Sequence, residues 1–202
     1  MTYVKNKKGF TLIEMLAVVL ILGILITVAI PNIIATLDRN KKDTFIKDAK
    51  LAIVAAEYTI TRDTKLEFPD SNTTIVFPLS HLKNLGLKES PFGTEYSLNH
   101  SFVAITKDPV GADSEYFYYV HLIACTDANC YNTQDGSVEK NRGINLVRQD
   151  ELDKPGRADL VFKGSEVKTN IFDVENTVNT NLINELNRVR NVADQISNVI
   201  VY

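Results

Sequence analysis

The chain has 202 residues, 25 acidic against 22 basic side chains, a formal net charge of -3 and two cysteines. That balance excludes a general nucleic-acid binder, which would carry a strong basic patch. Apolar residues are unevenly spread, with one long run near the N-terminus. The distribution predicts one membrane-embedded element and one soluble part of roughly 140 to 160 residues, enough to bury its own core.

The first eight residues are basic, with Lys5, Lys7 and Lys8. Residues 10 to 30 then form an apolar run of 21 residues in which Glu14 is the sole charge. As an α-helix this run spans about 31 Å, close to the hydrocarbon thickness of a bilayer. The lysines stay on the cytoplasmic side, which places the remainder outside. Composition leaves a cleaved secretory signal and a plain uncleaved anchor open, and Thr27-Val28-Ala29 is a tolerable small-x-small cleavage site. Glu14 argues against both. A carboxylate in an apolar helix costs about 2.5 to 3.5 kcal/mol on insertion scales. The run holds no basic residue to pair with it, so a positive group on a neighbouring chain is the natural partner. A free α-amino group at Phe10 is one such group, if cleavage occurs just before it.

The stretch Lys8-Gly9-Phe10-Thr11-Leu12-Ile13-Glu14 resembles the class III signal of type IV pilins and pseudopilins. The resemblance covers residues 7 to 60 and extends to the rest in outline. It implies that a prepilin peptidase, an aspartic membrane protease, cuts after Gly9 and N-methylates Phe10. Glu14 then neutralises the N-terminal amine of an adjacent subunit and helps to set axial register. The apolar stretch is retained as the core of a filament. Pro31 fits a proline common at that place in the family. The resemblance implies no cofactor and these partners: further pilin subunits in a homo-oligomeric filament, the prepilin peptidase, a polytopic membrane platform protein with its cytoplasmic assembly ATPase, and the lipid bilayer. No direct contact with nucleic acid is expected. The function implied is a structural subunit of a type IV pilus, first a single-pass precursor in the cytoplasmic membrane with its head outside, then part of a cell-surface filament. A pseudopilin of a type II secretion or competence (DNA-uptake) system, and a minor or tip pilin with an adhesin role, are the alternatives.

Residues 32 to 61 continue as an amphipathic helix. Ile46, Ala49, Ile53, Ala56 and Ile60 recur at spacings of three and four, and the other face is mostly charged. The whole helix from residue 10 to about 61 would reach about 75 Å. Pro31 removes a backbone donor and is expected to kink or open it. Residues 61 to 72 read as the loop leaving the helix, 73 to 77 as a short strand, and 80 to 85 as a short helix closed by Gly86. Ser90-Pro91-Phe92-Gly93 is a turn. Residues 96 to 106, 115 to 125, 144 to 148 and 158 to 162 read as strands. A C-terminal helix is expected over 176 to 202, capped by Asn176 or Thr177. Its stripe is Val178, Leu182, Leu186, Val189, Ala193, Ile196 and Ile200. Three readings of this segment are open: it covers the second face of the sheet, it packs on a neighbouring subunit, or it is an irregular strand-like tail, as its asparagines and β-branched end suggest.

The fold class expected is α+β: a pilin fold with a long N-terminal helix packed on an antiparallel β-sheet head and an extra C-terminal helix. The divisions are 1–9 (leader), 10–31 (transmembrane and filament-core helix), 32–61 (amphipathic helix), 62–175 (β-rich head) and 176–202 (C-terminal helical segment). Cys125 and Cys130 can close a small disulfide loop if the head lies outside the cytoplasm. They lack the second ligand pair of a zinc site and the Cys-x-x-Cys form of a redox pair. Asp127, Asn129, Asn132, Asp135 and Gly136 do not match a calcium-loop pattern and read as a solvated loop. His81, His100 and His121 are scattered, no nucleophile–base or phosphate-loop pattern appears, and the chain does not read as an enzyme. An adhesin head would use an exposed groove around Tyr116 to Tyr119; the competing reading makes those aromatics half core.

Overall fold

The computed structural model describes residues 9–82, 85–110, 113–126, 130, 137–175 and 179–202. Apart from Gly9 the leader lies outside these residues, as do the amide-rich loop at 127–129 and 131–136 and the caps expected at Asn176 and Thr177. The chain divides into two units, Met1–Asn40 and Lys41–Tyr202.

Helix α1 (Leu12–Arg62) begins in the first unit. Every side chain of residues 10–40 is exposed there, including Phe10, Ile13, Leu16, Leu20, Ile24 and Ile34. Among the described residues this is the one helix long and apolar enough to cross a membrane. The helix assignment is unbroken across Pro31. Nearby side chains supply extra donors to the backbone: Thr27 Oγ1 to the Ile24 carbonyl, Asn32 Nδ2 to Val28 and Thr36 Oγ1 to Asn32. None of these reaches the Thr27 carbonyl, the acceptor that the missing Pro31 N–H would have served.

In the second unit α1 turns amphipathic. Phe45, Ile46, Ala49, Ala52, Ile53, Ala56 and Ile60 are all buried, which is the three-and-four pattern with Phe45 and Ala52 added. Each large apolar side chain in that stripe contributes about 1.5 to 3 kcal/mol on burial. Tyr96 Oη donates to Asp48 Oδ2 at 2.6 Å, fixing the helix's rotation against the head. Burial pushes the Asp48 carboxyl above its ordinary pKa, against the opposing bond from Tyr96.

The stripe packs on a seven-stranded sheet. Its strands are β1 (Thr73–Pro78), β2 (Glu95–Tyr96), β3 (Phe102–Val110), β4 (Asp113–Cys125), β5 (Arg142–Arg148), β6 (Val161–Lys163) and β7 (Asn198–Val201). The order is β6-β5-β4-β3-β1-β7, with β2 paired to β4. All pairs are antiparallel except β1–β7, which is parallel. The architecture is a pilin-like α+β fold with a mixed, open sheet.

Strand periodicity separates two cores. Ile75, Phe77, Val103, Ile105, Val120 and Leu122 face α1. Val76, Phe102, Ala104 and Tyr119 point the other way; beyond the single-turn helix α2 (Gln149–Asp153) in the chain, Ile171, Phe172 and helix α3 (Thr180–Arg190) cover them through Leu182 and Leu186. The extra helix therefore covers the second face of the sheet.

Several elements differ from the sequence reading. The C-terminal helix stops at Arg190, followed by Asn191 in a left-handed conformation with φ 49°. Asn187 then clamps the returning chain: its Oδ1 accepts the Ile196 N–H at 2.7 Å and its Nδ2 donates to the Ile196 carbonyl at 3.0 Å. Val199, Ile200 and Val201 continue as strand because β1 offers a free edge, and a β-branched run pairs there more favourably than it coils. The expected strand 96–106 is divided between β2 and β3. Residues 79–81 form a turn, where a helix over 80–85 was expected, and 83 and 84 are not described. The expected strand 158–162 is a 3-10 turn at Arg157–Leu160 followed by β6.

Candidate processing and assembly site

Gly9 and Phe10 precede the helix in non-helical backbone. Phe10 is 80% exposed, and a Cβ built on Gly9 meets nothing within 4 Å. The Gly9–Phe10 bond is thus in open chain.

Thr11 and Glu14 form a capping box around the first turn. The Thr11 N–H donates to Glu14 Oε2 at 2.8 Å, and Thr11 Oγ1 donates to the same oxygen at 2.7 Å. In return the Glu14 N–H reaches Thr11 Oγ1 at 3.3 Å. Such a box satisfies donors that a helix start leaves unpaired, and its carboxylate complements the positive end of the helix dipole. The reading of Glu14 as a charge awaiting a partner overlooked this local one. The signal was present, since a threonine followed three residues later by a glutamate before an apolar run marks a helix start. Glu14 therefore has a local role within the chain, fulfilled through Oε2.

The remaining candidates lie apart from this junction. Cys125 and Cys130 are joined by a disulfide that packs against Ile123 and Val167 at the end of β4. The residues from Tyr116 to Tyr119 do not share a groove. Tyr119 is fully buried, its Oη donating to Asp108 Oδ2 at 2.8 Å, whereas Tyr116 is 40% exposed and packs against Phe68 in a tilted ring pair with centroids 4.5 Å apart.

Of the histidines, His81 is exposed, and His100 and His121 are buried under the α3 side of the sheet. His121 Nδ1 lies 3.0 Å from the Ile144 carbonyl, and burial pulls its pKa down to about 4 despite that bond. His100 Nδ1 lies 3.1 Å from Ser97 Oγ. Burial also lowers the His100 pKa, against the raising effect of Asp173 and Glu175. Among the described residues no group of three or more His, Cys, Asp or Glu is placed to hold a metal ion.

One pair escaped the sequence reading altogether. Arg190, at the end of α3, donates from Nε to Asp108 Oδ1 at 2.6 Å, and both side chains are buried. Thr106 Oγ1 and Tyr119 Oη complete the carboxylate's shell. They lie 82 positions apart, and no local pattern marks the two residues as partners.

Residues 4–30 match the family described as the prokaryotic N-terminal methylation motif. No curated protein and no solved structure matches the chain. The chain carries a prepilin-type methylation motif at the start of one long apolar helix, consistent with a membrane-anchored, pilin-like precursor.

Proposed function

We propose that the chain is a structural subunit of a type IV pilus. The precursor is held in the cytoplasmic membrane by residues 10 to 31 with its head outside. Prepilin peptidase cuts after Gly9 and methylates Phe10, and the platform protein and assembly ATPase draw the subunit into a filament through its N-terminal helix. The observation that carries this reading is the methylation motif over residues 4–30, which spans the open Gly9–Phe10 bond and the apolar helix start. A second feature supports assembly. Leu51, Val54 and Tyr58 are exposed apolar residues of α1 outside its buried stripe, and they line a groove of about 780 Å³ with Leu82 and Leu85. Packing between subunits would cover it.

Intact mass of the exported protein tests the proposal. Loss of residues 1 to 9 with one methyl group added at Phe10 is expected. A mature chain starting at Ile30, after the small-x-small site, or a chain with its leader intact, would overturn it.

A further inference from the structure

Beneath the α3 side of the sheet lies a half-enclosed cavity of about 170 Å³, lined among others by His100, Asn170, Phe172, Asp173, Asn179 and Asn181. Its polar groups are held in place. His100 Nε2 lies 3.9 Å from Asp173 Oδ2, Asp173 Oδ1 accepts the Glu175 N–H at 3.0 Å, and Asn181 Nδ2 donates to the Asn170 carbonyl at 3.0 Å. One group stands out. Asn179 is 4% exposed, and its Oδ1 has no hydrogen-bond partner among the described residues. It does not cap the first turn of α3 with its side chain either. A buried acceptor without a donor is costly, and a donor supplied from outside the chain would relieve it.

The charges around the cavity select that donor. The N-terminal end of α3 presents positive potential and N–H groups, whereas Asp173 presents a carboxylate. An anion meets Asp173. A hard cation meets the positive helix end and finds a single carboxylate in the lining to offset its charge. A neutral hydroxyl suits both, donating to Asn179 Oδ1 or Asp173 while accepting from an amide or a helix N–H. The volume equals that of roughly five or six water molecules at about 30 Å³ each. That is the scale of one sugar ring, below the range of about 300 to 1,000 Å³ for drug-sized ligands. Ile171 and Phe172 supply the apolar wall for the ring's C–H face.

We propose that this cavity is a binding site for a terminal, uncharged monosaccharide residue of a glycan. Asn179 Oδ1 and Asp173 accept two of its hydroxyls, and the Asn181 amide and the α3 N-terminus donate to a third. The site goes beyond the filament reading and does not depend on it.

The test is an NMR titration of the full chain in lipid nanodiscs, which avoids sugar-headed detergents. The probes are neutral hexoses, pentoses and glycerol, with inorganic phosphate and Ca²⁺ as charged comparisons. At least one neutral sugar should give saturable shifts at residues 170–173 and 179–182, with a dissociation constant on the order of 1 to 10 mM. Asn179→Gly suits the left-handed backbone at that position (φ 44°) and removes the orphan oxygen; it should weaken binding about tenfold or more. If that variant does not fold, Asp173→Asn carries the same expectation with the shape retained. Three results would overturn the proposal: no neutral sugar saturates the signals, only phosphate or Ca²⁺ moves them, or the folded variant binds like the wild type.

Discussion

Glu14→Gln separates two roles that one side chain combines. The capping box needs an oxygen at position 14 to accept from the Thr11 N–H and Oγ1, at 2.8 and 2.7 Å, and a glutamine carbonyl can provide it. The helix start should therefore survive, where loss of a cap costs about 0.5 to 2 kcal/mol. The charge, in contrast, is removed. An ammonium and a carboxylate about 4 Å apart attract by about 4 kcal/mol at an effective dielectric of about 20. Losing most of that at each subunit contact weakens association by two to three orders of magnitude, since about 1.4 kcal/mol is a factor of ten. Thr11→Ala does the reverse, opening the box and keeping the charge. Filaments sheared from cells and quantified against total subunit, with intact mass to verify processing, read both variants. Glu14→Gln should be processed and fail to accumulate in filaments; Thr11→Ala should be processed and assemble. Wild-type filament yield from Glu14→Gln, or equal loss in both variants, would refute the pairing of Glu14 with a neighbour's amine and leave the box as its role.

Three further predictions concern the head. Arg190→Met strands the buried Asp108 carboxylate with only Thr106 and Tyr119 as partners, and should cost about 3 to 5 kcal/mol in denaturant unfolding; a loss below about 1 kcal/mol would show that the pair is not buried in solution. His121 stays neutral in the fold down to about pH 4, whereas the unfolded chain takes up its proton near the ordinary value of 6.5. The unfolded state binds more protons in that window, so stability is fully present above about pH 6.5 and falls by about 3 kcal/mol as pH drops to about 4. His121→Leu should flatten that slope, and an unchanged slope would assign it to other groups. Gly143→Ala in β5 places a methyl 2.7 Å from Val167 Cγ1 and 3.1 Å from the Leu122 carbonyl. It should destabilise by about 1 to 3 kcal/mol, and a neutral result by thermal unfolding would mean that Val167 yields freely.

Local patterns were legible and non-local ones were not. Ile46, Ala49, Ile53, Ala56 and Ile60 recur at helical spacing because one face of α1 meets the sheet, so periodicity alone located that interface. The aromatic and β-branched run through 115–125 was readable as β4 for the same reason. Ile196, Ile200 and their neighbours fit a helical stripe equally well, and the tie is broken elsewhere. Asn187 turns the chain back, and β1 offers a parallel register to Asn198, Val199, Ile200 and Val201. Neither partner lies within the window that a periodicity reading uses. Arg190 and Asp108 make the same point in electrostatic form: each resembles an ordinary surface charge until α3 is laid across the sheet.

Glu14 is a different case. Its motif is local and was readable, but a charge in an apolar run drew attention to a distant partner, and the threonine three residues before it was passed over. The structure gives that carboxylate a partner inside its own chain. This changes the energetic argument for assembly. In the proposed precursor the carboxylate already has the Thr11 donors, so the gain on the proposed pairing would be not the full cost of an isolated carboxylate but only its surplus over the capping box. Both roles can coexist if Oε2 stays in the box while Oε1 meets the neighbouring amine, because a carboxylate offers about four acceptor sites. In the proposed filament, retention of the box would be the more favourable arrangement, because it orients the carboxylate before a partner arrives.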